Sequence, residues 1–296
     1  LIKKLPEDQP VNITLEEGQY MMRIEAGRAK FQLNCLDVAD FPNLGSGDLD
    51  VQFSVPAESM RELIDRTRFA ISNDETRYYL NGIYMHEAES NAVPMLRTVA
   101  TDGHRLARFD IPLPEGAEGM PGIILPRKAV NELRKLIDDT AENIRIQLSE
   151  NKIRFEFGSA VLTSKLVDGT FPDYQRVIPI GNDKILMVDP GQFAKAVDRV
   201  STLSSDKGRA VKMSLNGQSL TLSANTPNAG SATEEMEVQF EADPIEVGFN
   251  ARYLLDIAQQ IEGTSCKIVM ADPASPTLIQ DEGEAAALYV LMPLRV

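Results

Sequence analysis

Tryptophan is absent from this 296-residue chain, aromatic residues make up only 6%, and there are just two histidines and two cysteines. Cys35 and Cys266 fall in strand-like segments far apart, so no thiol pair stands at zinc-ligand spacing. They read as free thiols rather than a disulfide. No run of about 18 apolar residues occurs, so no membrane-crossing helix is expected and the chain reads as soluble. The phosphate-binding G-x-x-x-x-G-K-[ST] loop, G-x-G-x-x-G, G-x-S-x-G and H-E-x-x-H are all missing. His86 falls in a polar tail after a strand and reads as a surface residue. Asp102 and His104 stand two residues apart in TDGHR without a third ligand or a nucleophile, and Asp-Gly is first of all a turn signal. No enzymatic reaction, metal or cofactor is expected.

What the chain does contain is repetition. Short β-branched or apolar runs meet a Pro, Asp or Asn and pass into an amphipathic stretch at FSVPAESMRELIDRTRF (from Phe53), IILPRKAVNELRKLI (from Ile123), LMVDPGQFAKAVDRV (from Leu186) and VGFNARYLLDIAQQI (from Val247). Met60, Leu63 and Ile64, or Phe193, Val197 and Val200, recur at helical spacing. The starts lie 61 to 70 residues apart, the mark of an array of like units. LIKKLPED at the beginning reads as the tail of a fifth helix. A longer period sits above this one. GRAKFQLNCLDVADFPN (from Gly27) and GSAVLTSKLVDGTFPD (from Gly158) share Gly-x-Ala, a strand and a D-x-x-x-F-P or D-G-x-F-P turn, 131 residues apart. LRTVATDGHRLARFD (from Leu96) similarly resembles LTLSANTPNAGSATEE (from Leu220). Each large unit thus holds two strand-helix-strands modules. The expected division is 1–52 as half a unit, 53–181 as a whole one and 182–296 as another, so the chain is expected to begin in mid-domain.

The net charge of −14 argues at first against nucleic acid, but the charges are not evenly spread. The expected helical segments (1–5, 57–71, 127–138, 190–212, 251–262) hold 15 Lys and Arg against 9 Asp and Glu, leaving 15 against 35 elsewhere. Basic helices and acidic sheets suit a protein that holds a phosphate backbone weakly on one side and repels it on the other. Composition alone fits equally well with helices whose outer faces are simply solvated.

Two segments place apolar or aromatic residues where a closed core has no use for them. RYYLNG (Arg77 to Gly82) sets two tyrosines side by side; on a strand they face opposite ways, so one ring looks outward. ALYVLMPLRV ends apolar, with Met292, Pro293, Leu294 and Val296 and no polar tail. Such an end marks a partner site. A last strand closing its own sheet accounts for Leu288 to Leu291 but not for Pro293 onward.

RYYLNG, LRTVATDGHRLA, LPRKAVNEL, TSKLVDGTFPDYQRVIP, GFNARYLLD and YVLMPLRV, in this order, resemble the bacterial DNA sliding clamps, the beta subunit of DNA polymerase III holoenzyme. The resemblance covers essentially the whole chain and implies an α+β fold of repeated clamp-type domains, each with two helices lining a channel and antiparallel sheets outside. It also implies that the first half of the first domain is lacking. The implied function is that of a processivity factor: two subunits join head to tail into a ring around duplex DNA, without sequence specificity, and tether polymerase to template. Weak contacts with phosphate let such a ring slide.

By this resemblance the partners are duplex DNA, the replicative polymerase alpha subunit, the clamp loader, repair and translesion polymerases and a second copy of the chain, in the cytoplasm and on the nucleoid during replication. Arg127 and Lys128 match family positions assigned to DNA contact, and Tyr78 a pocket-edge position near DNA. Lys3, Lys4, Arg61, Arg66, Arg68, Lys195, Arg199 and Arg252 join them on helix placement alone. A partner peptide with a glutamine and a pair of bulky apolar residues would dock in a pocket made by Arg77, Tyr79, Leu80, Thr101, Gly103, His104, Arg105, Leu106, Pro172, Arg176, Val177, Asn250, Val290, Met292, Pro293 and Leu294. The ring interface would set Phe31 and Leu33 against Thr202 and Leu203 of the neighbour. The chain departs from better-known members at Gly208, where a phenylalanine can border the pocket, at Thr202, where some relatives carry a larger aliphatic, and in SNDET, so Asn73 and Asp74 are not carried over as contacts. With half a domain missing, an exposed sheet edge and an unfilled core are expected there. The alternative is a clamp-derived peptide-binding module unable to close a ring.

Overall fold

The computed structural model describes residues 1–15, 20–41, 49–137, 143–204, 210–227 and 230–295. The chain divides into two compact units, Leu1–Gly47 and Asp48–Val296. The smaller carries a 3-10 turn at Ile2–Lys4 and an antiparallel sheet of β1 (Val11–Leu15), β2 (Met21–Ala26) and β3 (Ala29–Asn34). Leu5, Ile24 and Ala26 form its small core, while Val11, Ile13 and Leu15 on β1 are exposed.

The larger unit begins with β4 (Val51–Pro56), α1 (Ala57–Asp65), β5 (Gly82–Ser90), β6 (Val93–Thr101) and β7 (Arg105–Pro112). It continues with β8 (Ile123–Pro126), α2 (Arg127–Leu136), β9 (Asn143–Leu148), β10 (Lys152–Phe157) and β11 (Ala160–Lys165). The same order then recurs: β12 (Lys184–Val188), α3 (Pro190–Ser201), β13 (Ala210–Asn216), β14 (Ser219–Thr226), β15 (Gly230–Glu237) and β16 (Gln239–Phe240). Last come β17 (Ile245–Asn250), α4 (Ala251–Ala258), β18 (Cys266–Met270), β19 (Thr277–Asp281) and β20 (Ala287–Leu291).

All four strand-to-helix starts stand where the repeat places them, and each has a local cause. Pro56 and Pro126 are at the N-caps of α1 and α2. Proline's preset backbone angle and missing N–H suit a helix entrance. At α3 and α4 the cap is a side chain: Asp189 accepts from the Gln192 amide at 2.7 Å and Asn250 from the Arg252 amide at 3.0 Å. Each helix buries one apolar stripe, such as Met60, Leu63 and Ile64 on α1 and Phe193, Val197 and Val200 on α3.

α3 is shorter than the 190–212 segment expected to be helical. It ends at Ser201, and Ala210 already opens β13. The hydroxyls of Ser201 and Thr202 accept no helical role and instead donate to the Asp198 carbonyl at 3.0 and 3.2 Å, while Ser204 donates to Ser201 at 2.7 Å. Such side-chain bonds compete with the backbone ladder and close the helix.

Two four-stranded sheets, β11-β10-β9-β4 and β15-β14-β13-β17, flank one nine-stranded sheet in the order β16-β12-β18-β19-β20-β7-β6-β5-β8. Every described pairing in it is antiparallel, and the long sheet is continuous because β20 pairs with β7, Leu291 opposite Arg105 and Ala287 opposite Phe109. β20 is therefore buried at all five positions, which explains why its sequence is an unbroken apolar run without alternation. The strand both closes its own sheet and joins it to the preceding half of the unit.

Candidate functional site

The join between β7 and β20 leaves a cleft of about 170 Å³ lined mostly by apolar groups. Its walls come from four places in the chain. Leu80 ends a 3-10 turn, Glu75–Leu80. Thr101, Gly103, His104, Arg105 and Leu106 make the β6–β7 turn, Pro172 and Val177 come from the segment around the Tyr174–Val177 turn, and Val290 and Met292 from the C-terminal strand and the residues just past it. Ten of the sixteen residues expected to form a pocket thus line one cleft. Asp173 and Tyr174 line it too and were not anticipated. Asp-Tyr after Phe-Pro looks like turn chemistry, and only the fold turns the tyrosine toward the cleft.

The turn that carries TDGHR is held by its own polar groups. Asp102 accepts from the amides of His104 at 2.9 Å and Arg105 at 3.0 Å, and Thr101 donates to the Arg105 carbonyl at 2.7 Å. Asp102 is a turn-forming side chain, as the Asp-Gly pair suggested. Gly103 has φ +90°, and a Cβ there would stand 2.7 Å from Arg77 Nη1, so any larger residue is strained and crowds the guanidinium. The His104 carbonyl accepts from the Met292 amide at 2.9 Å, and Leu294 donates to Gly248 at 2.7 Å. These bonds fix the apolar chain end as part of the wall.

Arg105, although it lines the cleft, is mostly committed beneath it. It donates to the Phe69 carbonyl at 2.6 Å, pairs with Asp102 and Asp256, and stacks over Tyr253 with its Cζ 4.3 Å from the ring centroid. His104 is exposed, its ring 6.3 Å from that of Tyr253.

The other six expected residues surround this cleft without lining it. Arg77 is paired to Asp74 at 2.9 Å, Tyr79 is half-buried, and Arg176 is exposed and paired to Asp173 at 2.7 Å. Asn250 caps α4, and Pro293 and Leu294 follow Met292 half-buried. Tyr78 and Tyr79 lie in the 3-10 turn and not on a strand; they meet edge-on at 5.7 Å, with Tyr78 54% exposed. An outward ring is present, for a different reason from strand alternation.

Of the basic residues, Arg68, Arg127 and Lys128 line a shallow open hollow together with Asn81, Asn131 and Lys135. Lys135 was not anticipated. Arg127 donates to Asn73 and to the Ser72 carbonyl, so Asn73 positions a cation here. Lys195 and Arg252 are exposed on α3 and α4, and Arg61 donates to the Ile137 carbonyl at 3.3 Å. Arg199 is exposed but paired with Glu234 on β15, and Lys3 and Lys4 are exposed in the smaller unit.

Arg66 does not face outward with them. It is 5% exposed, donates to the Gln260 carbonyl, pairs with Glu262 at 3.0 Å and Glu284 at 3.6 Å, and has its Cζ 6.0 Å from the Phe109 ring centroid. It follows the end of α1, where helical phase no longer sets direction, and acidic groups from the second half of the unit draw it inward.

Phe31 is half-buried and Leu33 42% exposed on β3. Thr202 is exposed after α3 and Leu203 half-buried, its carbonyl accepting from Thr226 at 2.6 Å. Gly208 lies outside the described residues. Cys35 and Cys266 are both free; burial pushes the Cys266 thiol up to about 12.

A family model for the DNA polymerase III beta subunit, central domain, matches residues 54–173, and one for its C-terminal domain matches 175–295. This chain belongs to the bacterial sliding-clamp family. The beta sliding clamp of Caulobacter vibrioides is 49% identical over 296 residues, covering all of this chain and 80% of that protein. That of Escherichia coli K12 is 37% identical over 298 residues, covering all of this chain and 79% of that protein. A sliding clamp from Bartonella birtlesii, solved bound to griselimycin, superposes with TM-score 0.91 at 50% identity, covering all of this chain and 79% of that one. The Caulobacter crescentus clamp does so with TM-score 0.93 at 49% identity, covering all of this chain and 78% of that one. The fold is the clamp fold, and clamps of this family are non-catalytic accessory subunits of DNA polymerase III.

Proposed function

We propose that this clamp confers processivity by holding duplex DNA without sequence specificity and docking short peptides of its partners in the cleft between β7 and β20. The cleft supports this reading most strongly. Concave apolar walls with a few polar groups at the rim suit a peptide that inserts bulky apolar anchors, and a polar glutamine side chain has Thr101, His104 and the Gly103 backbone within the same lining. Met292, 38% exposed, can adapt its unbranched side chain to more than one sequence. The polymerase alpha subunit, the clamp loader and repair and translesion polymerases are the partners we assign to it. The exposed Arg68, Lys128 and Lys135, with the half-buried Arg127 beside them, fit loose phosphate contact that favours sliding. A head-to-tail homodimer, with Phe31 and Leu33 meeting Thr202 and Leu203 of the partner, completes the proposal, with domains at 1–52, 53–181 and 182–296 and a cytoplasmic location.

The cleft is tested by truncating Met292 to Ala and titrating a labelled peptide that carries a glutamine and a leucine–phenylalanine pair. Affinity is expected to fall about tenfold, on the order of 1.4 kcal/mol, with an unchanged melting curve. Equal affinities would contradict the assignment.

A further inference from the structure

His86 is a half-buried imidazole, and no established task uses it. Sequence reading placed it on the surface; the fold places it inside β5, stacked on Tyr84 with ring centroids 4.5 Å apart, and Tyr84 stacks in turn on Phe171 at 4.8 Å. Its Nε2 lies 3.1 Å from the hydroxyl of Tyr174, the unanticipated residue of the cleft wall. Its Nδ1 lies 2.6 Å from the Glu87 carbonyl.

These contacts assign one tautomer. A carbonyl only accepts, so Nδ1 carries the hydrogen and the neutral ring presents Nε2 as an acceptor. Tyr174 then donates to Nε2 and its oxygen accepts from Arg97 Nη1 at 3.2 Å. Arg97 is itself held by two bonds to Asp110, at 2.7 and 2.6 Å. Each bond in the line from Asp110 to Glu87 then runs from a donor to an acceptor. Protonating His86 makes Nε2 a donor, and the buried Tyr174 hydroxyl loses the acceptor for its own hydrogen.

We infer that neutral His86 is a positioning residue for the peptide cleft, holding Tyr174 in the wall, and that proton uptake by His86 weakens docking. This rests on the reading of the cleft as a peptide site.

The charged and titratable groups around the ring are Arg97 on β6, Arg108 and Asp110 on β7, Glu87 beside it on β5, and the phenols of Tyr84 and Tyr174. Burial holds His86 below its usual value; the Glu87 bond opposes this, Arg97 adds to it and Asp110 opposes it. With the folded value depressed, the neutral state is full above about 6.5, the ordinary histidine value, and is lost only as pH falls through the lower folded value.

The test uses the full chain and a short, end-capped fluorescent peptide with one glutamine, a leucine–phenylalanine pair and no titrating side chain, at about pH 7.5 and about pH 5, either side of the histidine range. Wild-type affinity is expected to fall roughly tenfold on acidification. His86→Gln and Tyr174→Phe, each shown folded by its melting curve, should give a shallower fall. Equal slopes in wild type and variants would overturn the role of His86 alone; no wild-type binding at the higher pH would overturn the cleft reading with it. A proton NMR titration of His86 in the wild-type chain needs no variant: by linkage, saturating peptide must lower its pKa. An unmoved His86 titration overturns the inference.

Discussion

Replacing Asp110 by Ala is expected to lower unfolding stability by about 3–5 kcal/mol, the scale of breaking a buried ion pair from one side. Asp110 is 4% exposed and Arg97 5%, joined by two short bonds, with Arg108 Nε a further 3.8 Å from the same carboxylate. Burial works to lower the Arg97 pKa, but its bonds to Asp110 and Tyr174 outweigh that and raise it, so Arg97 stays charged and keeps its full need for a partner. Removing the carboxylate leaves two guanidinium groups facing each other in a mostly apolar setting. The double replacement Arg97→Met with Asp110→Leu should recover part of the loss, because it removes the more buried of the two guanidinium groups together with the carboxylate, leaving only Arg108 without it. Chemical denaturation of the wild type and the two variants checks this; a double variant as unstable as Asp110→Ala would mean that the pair does more than satisfy itself.

Arg66→Ala is expected to cost roughly 2–3 kcal/mol, from the charged hydrogen bond lost at the Gln260 carbonyl and the pairs with Glu262 and Glu284. Glu262 is 78% exposed on its side chain, so its pair alone contributes little; the buried guanidinium and the carbonyl it satisfies carry the effect. The bond joins residues 194 apart in sequence, from the two halves of the larger unit. Denaturation followed separately by probes in the two halves should show the coupling weaken in Arg66→Ala. A loss below about 0.5 kcal/mol, the scale of an ordinary surface substitution, would contradict the buried role of Arg66.

What could be read from residues alone follows the range of the forces involved. Helix starts depend on neighbours, so Pro56, Pro126, Asp189 and Asn250 announce all four helices, and the apolar stripes confirm their phase. The pairing of β20 with β7 joins residues about 180 apart, and nothing local in ALYVLM specifies the partner strand. Direction fails where local order ends. Arg66 sits just past α1 and is drawn inward by acidic residues far along the chain. His86 lies among Glu and Ser in HEAES, so period and polarity point to solvent, yet stacking on Tyr84 and the Tyr174 hydroxyl hold it in. The cleft residues became readable through whole-family resemblance more than through chemistry, and Tyr174, which that resemblance did not bring forward, is the one that links the cleft to a half-buried titrating group.

The most direct test of the clamp account is retention on DNA of one topology against another. The chain is loaded onto nicked circular duplex with a clamp loader and separated from free protein by gel filtration, before and after one restriction cut. Retention on the circle, loss on linearisation and indifference to sequence are the results expected of a tether that encircles its template. Equal retention on circle and line would mean ordinary binding to the DNA surface, and no retention on the circle would mean that this chain does not close around DNA.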